Sequence, residues 1–161
     1  MMEIDLHQPL IFSECEKLTE ITIPNSVTTI ERLYFYSCFL LSKITIPSSV
    51  TSIKESAFEE CISLTSIKLP SSINYIGEYC FFECHSLTRI EIPPSVTLIE
   101  DSTFRECSSL IEILLPPKLT KIGNHCFEGC ISLKEITIPS SVTQLGCFIK
   151  SIQNNAGFQF P

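Results

Sequence analysis

The sequence predicts a single-domain solenoid of stacked coils, with a parallel β-sheet along one side and short helical or 3₁₀ turns on the other. Three observations predict it. Leucines recur at Leu18, Leu41, Leu64, Leu87, Leu110 and Leu133, each 23 residues after the last. An Ile-x-Ile/Leu-Pro step follows each leucine, at Ile21 to Pro24, Ile44 to Pro47, Ile67 to Pro70, Ile90 to Pro93, Ile113 to Pro116 and Ile136 to Pro139. Then comes a phenylalanine (Phe35, Phe58, Phe81, Phe104, Phe127), and three residues later a cysteine (Cys38, Cys61, Cys84, Cys107, Cys130). A fixed period of roughly 20 to 50 residues marks units that cannot bury their apolar faces alone and stack to share one core.

Taken in order, residues 1–11 do not match the unit, and Phe12 to Leu18 is the second half of one. The division read from this is an N-terminal part-repeat or cap at 1–17, repeats over 18–146, and a C-terminal cap or tail at 147–161. Within the unit that opens at Leu41, Ile44 and Ile46 are two residues apart and share one face of a short strand, leaving Lys43 and Thr45 on the other. Pro47 and its equivalents lack a backbone donor and end that strand, and Ser48-Ser49 turns the chain. Val50 and Ile53, and then Phe58 and Cys61, are spaced by three, which suits a corner followed by a helical or 3₁₀ stretch. Glycine recurs after the buried isoleucine or leucine at Gly77, Gly123 and Gly146, which suggests a position where positive φ is tolerated. Beyond Gly146 the pattern fails: Lys150 stands where phenylalanine is due, and Phe148 arrives early. Residues 147–161 are apolar enough to fold over the last coil, the alternative being a frayed tail.

Composition bounds the function. A chain of 161 residues with 44% apolar and 18% charged residues has the makings of one folded domain. A net charge of -7 and a pI near 4.9 argue against nucleic acid, whose affinity rests on clustered Lys and Arg. No run approaches the ~20 apolar residues that span a bilayer, so no membrane insertion is expected. Leu10-Ile11-Phe12 is too short for the core of a signal peptide. On that ground the reading favours the cytoplasm, with the cell surface as the alternative.

The unit Leu-x-x-Ile-x-Ile-Pro-x-Ser-Val-x-x-Ile-x4-Phe-x-x-Cys-x-x-Leu resembles the BspA-type leucine-rich repeat over about residues 12–146. The small residue that the family places before Phe is Ala57 in one unit and Tyr34, Cys80, Thr103 or Cys126 in the others. The resemblance implies a leucine-rich repeat solenoid that acts as a binding scaffold, with no catalytic residue and no cofactor. Such repeats are similar to those of bacterial and protist surface proteins that bind host matrix proteins or other cells, so a cell-surface adhesin or host-matrix-binding fragment is the alternative function.

Several constellations have residue types that could carry chemistry. The column Cys15, Cys38, Cys61, Cys84, Cys107 and Cys130 reads as a ladder of buried, reduced thiols, since parallel Cβ vectors ~4.8 Å apart are poorly aimed for disulfides. The pairs Cys80-x3-Cys84-His85 and His125-Cys126-x3-Cys130 have admissible zinc spacing but lie two coils apart, so no metal site is assigned. The exposed strand positions vary while the buried ones stay fixed. The candidate partner-binding face is Lys43, Thr45, Lys68, Arg89, Glu91, Glu112 and Leu114, with a small basic cluster at Lys43, Lys68 and Arg89; the alternative is a solvated face whose charges pair across coils. The expected function is a non-enzymatic protein–protein interaction scaffold that presents this face to a protein ligand. An acidic strip on the turn side (Glu55, Glu59, Glu60, Glu78, Glu83, Asp101, Glu106, Glu128) reads as solvated surface.

Overall fold

The computed structural model describes residues 12–147 and the dipeptide Phe158–Gln159. The expectations for residues 1–11 and for the rest of 148–161, including a terminal cap, lie outside the described residues. Coils are numbered here from their leading leucines, coil 1 from Leu18 to coil 6 from Leu133.

Each coil has three sides. On the first side the Ile-x-Ile alternation forms a column of short strands: β1 (Glu20–Thr22), β3 (Lys43–Thr45), β6 (Arg89–Glu91), β8 (Glu112–Leu114) and β10 (Ile136–Thr137). Parallel register sets Ile21 opposite Ile44 and Ile90 opposite Ile113, so like stacks on like at the 23-residue step. The last strand, β12 (Phe158–Gln159), pairs in parallel with β10, Ile136 lying opposite Phe158, one residue short of that step. Coil 3 departs from the pattern. Its Ser66 to Lys68 segment makes a single bridge, Ser66 to Arg89, instead of a strand.

The second side holds a column that the spacing did not announce. Its strands are β2 (Thr29–Ile30), β4 (Ser52–Ile53), β5 (Tyr75–Ile76), β7 (Leu98–Ile99), β9 (Lys121–Ile122) and β11 (Gln144–Leu145). Two-residue strands are too short to show alternation, so Val50 and Ile53 looked like a corner. The corner itself is formed at the proline, whose carbonyl accepts the N–H three residues on, as from Val50 to Pro47 at 3.1 Å.

The third side corrects the expectation of helical or 3₁₀ turns, because the described residues contain no helix. Two residues per coil, four apart, take left-handed φ: Leu33 and Ser37, Ser56 and Glu60, Tyr79 and Glu83, Ser102 and Glu106, His125 and Gly129. A left-handed residue every fourth position stops a right-handed helix before one turn is complete. The backbone bonds outward instead. The N–H groups of Ser56, Phe58 and Glu60 donate to Glu78, Cys80 and Phe82 of the next coil at 2.9, 2.9 and 2.8 Å, while Cys61 N–H closes a local turn on Phe58 at 3.1 Å. This turn-side ladder is repeated at each step from coil 1 to coil 5.

The core lies between these three sides. Phe12, Phe35, Phe58, Phe81, Phe104 and Phe127 form one continuous stack, with successive ring centroids 5.2 to 5.9 Å apart and planes within 11°. Beside it runs the cysteine ladder, and each of the five buried thiols donates to a phenylalanine carbonyl of the preceding coil, as Cys84 does to Phe58 at 3.2 Å. The same carbonyl accepts the Cys61 N–H, so one oxygen uses both of its lone pairs.

The glycine expectation is also corrected. Gly77, Gly123 and Gly146 do not have positive φ; among the glycines that belongs to Gly129 alone within the described residues. What the three need is room. A Cβ on Gly77 would lie 2.5 Å from the backbone nitrogen of Glu55 in the coil below. Lys54 and Glu100 occupy the same place in their own coils, so only some coil contacts are this close.

Candidate functional site

The first strand column turns its isoleucines inward and its remaining side chains outward. Lys43, Thr45, Lys68, Arg89, Glu91 and Leu114 are exposed there and Glu112 is half-buried, so all seven residues of the expected face lie on one side of the stack. Their charges do not stand equally free. Lys43 reaches Glu20 at 3.8 Å and Arg89 reaches Glu112 at 3.3 Å, both across one coil step. Lys68 has no carboxylate within ion-pair distance among the described residues, and Glu91 no cation, although the two occupy equivalent positions of adjacent coils. The basic cluster is therefore one free ammonium between two neutralised cations.

The face is not flat. A depression of about 550 Å³ between coils 3 and 4 is walled by Ser66, Lys68, Leu69, Pro70, Arg89, Glu91, Pro93 and Pro94. A second, of about 680 Å³ between coils 5 and 6, is lined mainly by Ile111, Ile113, Leu114, Leu115, Pro117 and Pro139, with Glu112 and Glu135 at its rim. Leu114 is 38% exposed in its wall. Both depressions lie where strand pairing in the first column is partial or absent, since β8 and β10 carry no ladder between them and coil 3 has only its one bridge. Sequence inspection found the residues but not these hollows. A smaller hollow of about 280 Å³ lies over the fully paired strands β1 and β3, between Glu20, Thr22, Lys43 and Thr45, so missing strand bonds accompany the two larger hollows without being required for every one.

The other constellations behave as structure. Burial pushes the buried thiols up, Cys38 to about 11 and Cys130 to about 12, with Cys61, Cys84, Cys107 and Cys126 raised in the same direction for the same first cause. A buried thiol held protonated is a poor nucleophile and a poor metal ligand. No group of three or more His, Cys, Asp or Glu converges as for a metal ion among the described residues. His85 lies against the Glu106 carbonyl at 3.0 Å, and His125 against the Glu128 carboxylate at 2.6 Å. The acidic strip is partly neutralised along the stack, with Arg32 on Glu55 at 3.2 Å and Arg105 on Glu128 at 3.4 Å. Asp101 accepts from both the backbone and the side chain of Asn124, at 2.8 and 2.9 Å, and Asn124 in turn accepts the Cys147 N–H at 2.8 Å. These bonds from Asn124 hold the Asp101 carboxyl below the usual carboxylate range.

A stack of parallel coils with a fixed apolar interior and a variable strand face defines a leucine-rich repeat solenoid. The BspA type leucine rich repeat family model matches residues 8–53 and 28–155 in 6 copies. The chain belongs to that family. No curated relative matches the sequence. Among solved structures, the leucine rich repeat protein of T. pallidum is similar, with 28% identity and a TM-score of 0.60, over 76% of this chain and 68% of that one. A leucine-rich repeat protein from Eubacterium ventriosum matches with 26% identity and a TM-score of 0.56, over 79% of this chain. The match spans only 41% of the Eubacterium protein's length. Among the described residues no helix is long and apolar enough to cross a membrane.

Proposed function

We propose that this chain is a non-enzymatic interaction scaffold that holds a protein ligand on its first strand face, around Lys43, Thr45, Lys68, Arg89, Glu91, Glu112 and Leu114. The observation that carries the reading is the split between the two sides of that strand column. Inward positions repeat isoleucine or leucine coil after coil, whereas the outward ones run from Lys to Thr, Arg, Glu and Leu over the same backbone. A face that served only to be solvated would need no Leu114 beside a hollow lined by Ile111 and Ile113. The family membership supports the class, since leucine-rich repeats generally serve protein interaction, and the raised thiols support the absence of nucleophilic catalysis by the cysteine ladder. A cell-surface adhesin that binds a host matrix protein is the narrower form of the same reading.

The test compares the native chain with the double variant Lys68→Glu, Arg89→Glu as affinity baits, followed by mass spectrometry of the captured proteins. A partner held by the native chain is expected to be lost from the variant, with the far-ultraviolet circular dichroism unchanged. Undiminished capture by a folded variant would place recognition elsewhere. Direct binding of the recovered partner, whether a matrix protein or an intracellular one, decides between the broad and the narrow form.

A further inference from the structure

We propose that the stack opens at one seam, between coils 3 and 4, like a book whose spine is the turn side. The three sides of the coil do not hold this seam equally. On the turn side, Tyr79, Phe81 and Glu83 donate their N–H groups to Asp101, Thr103 and Arg105 at 3.2, 2.9 and 3.0 Å. The hold continues around to the start of the first strand side, where Thr88 N–H meets the Thr65 carbonyl at 3.1 Å and Ser66 bridges Arg89.

From there the seam is open. The bond that Ile92 N–H makes to Leu114 at 2.9 Å has no counterpart from Leu69 to Glu91. The second strand column breaks at the same seam, for β5 and β7 belong to different sheets. Thr120 and Gly123 bond back to Thr97 and Ile99 at 2.7 and 2.8 Å, whereas Thr97 and Glu100 make no such bonds to coil 3. The serine that ties three of the other four seams, as Ser72 does to the Val50 carbonyl at 2.7 Å, is represented here by Ser95, which makes no such bond; Lys118 takes its place at the seam between coils 4 and 5. Residues 68–77 thus face 91–100 along one continuous arc without a backbone ladder. The arc is closed by apolar burial around Ile73, Ile76, Val96 and Ile99, with one long contact from Thr103 Oγ1 to the Gly77 carbonyl at 3.4 Å at its far edge.

The other imperfect seams differ in kind. Between coils 2 and 3, and between coils 5 and 6, the first strand column is unpaired, but the second is laddered through β4–β5 and β9–β11. Only the seam between coils 3 and 4 loses the second column among the described residues. Glu100 stands there where Gly77, Gly123 and Gly146 admit close approach in their coils. Lys54 keeps its ladder despite having a side chain, so bulk at that position is not sufficient alone. Pro94 replaces the serine found at Ser48, Ser71 and Ser140, but Pro117 does the same in coil 5, whose seam with coil 4 is fully laddered, so the proline is not sufficient alone either. The 550 Å³ depression sits at the mouth of the open arc. The two blocks hinged there are coils 1–3 and coils 4–6.

Cooperative units that open separately lose amide protection separately. The test is native-state hydrogen exchange by mass spectrometry on the unmodified chain at increasing urea. Peptides from 41–86 and from 87–132 are expected to lose protection in two distinct steps, each internally uniform. Without urea, the amides of Thr97 and Glu100, which have no backbone acceptor across the seam, should exchange faster than those of Thr120 and Gly123; this checks the missing ladder, and the two-step loss checks the opening. One common step for the whole chain, a boundary at another seam, or equal protection of the two amide pairs would overturn the proposal.

Discussion

The Cys84 thiol donates to the Phe58 carbonyl at 3.2 Å, and Cys84 is wholly buried beside the phenylalanine stack. The arrangement repeats from Cys38 on Phe12 to Cys130 on Phe104, so the cysteine of the repeat does more than fill a small apolar space. It supplies a second donor to a carbonyl whose other partner is the local turn N–H.

Replacement of Cys84 separates the two roles. Ala removes both the donor and some packing volume, and an expected loss of about 1 to 2 kcal/mol follows from a lost hydrogen bond and a small cavity. Ser keeps a donor in nearly the same place. Urea denaturation should therefore rank native above C84S and C84S above C84A. The order C84A above C84S would mean that apolar burial alone accounts for the residue.

The thiols also set the response to alkali. An unfolded cysteine ionises near 9.0, whereas burial holds Cys38 near 11 and Cys130 near 12. The folded value lies above the unfolded one, so the contribution is complete below about pH 9 and is lost as pH rises through 11 to 12. Thermal midpoints measured across pH 8 to 11 should fall steeply in the upper half of that range. At neutral pH a thiol reagent should modify exposed Cys147 readily and half-buried Cys15 more slowly, and reach the other seven of the nine cysteines only with denaturant.

Two backbone substitutions should act in opposite directions. Gly77→Ala drives a methyl group into the Glu55 backbone and is expected to cost roughly 1 to 3 kcal/mol. Glu83→Gly relieves a left-handed residue at φ 57°, and its expected gain is at most about 1 kcal/mol, because glycine also loosens the unfolded chain. Gly129 already makes this choice at the equivalent place in coil 5. A destabilised Glu83→Gly would show that its side chain does more for the fold than its backbone costs.

Much of this structure is legible in the residues. The recurrence of Leu, Ile-x-Ile-Pro and Phe-x-x-Cys gives the coil, its interior and the outward column from Lys43 to Leu114, because strand alternation fixes which side chains share a face. The turn side is not legible for a physical reason: a spacing of three between Phe58 and Cys61 is common to a helix and to a chain of single turns, and Ser56 and Glu60 do not advertise left-handed φ as glycine would. Gly77, Gly123 and Gly146 misled in the converse way, since glycine serves close approach as well as positive φ. The hollows in the face could not be read at all. The two larger ones accompany coil-to-coil hydrogen bonds that are missing, and Leu69 and Ile92 look alike in sequence while only Ile92 makes its bond.

Near-identical coils carry a hazard in folding that chains of unlike segments escape. Any coil offers its neighbour the same isoleucines, phenylalanine and cysteine, so docking on the wrong copy, with one unit looped out, would satisfy most of the core. The pairs that differ from seam to seam work against such slippage. Arg32 finds a carboxylate in Glu55, and Asp101 finds both donors of Asn124 only in the coil directly above. Those polar contacts add little to the stability of a stack already closed by its core; their effect is to mark which coil is next.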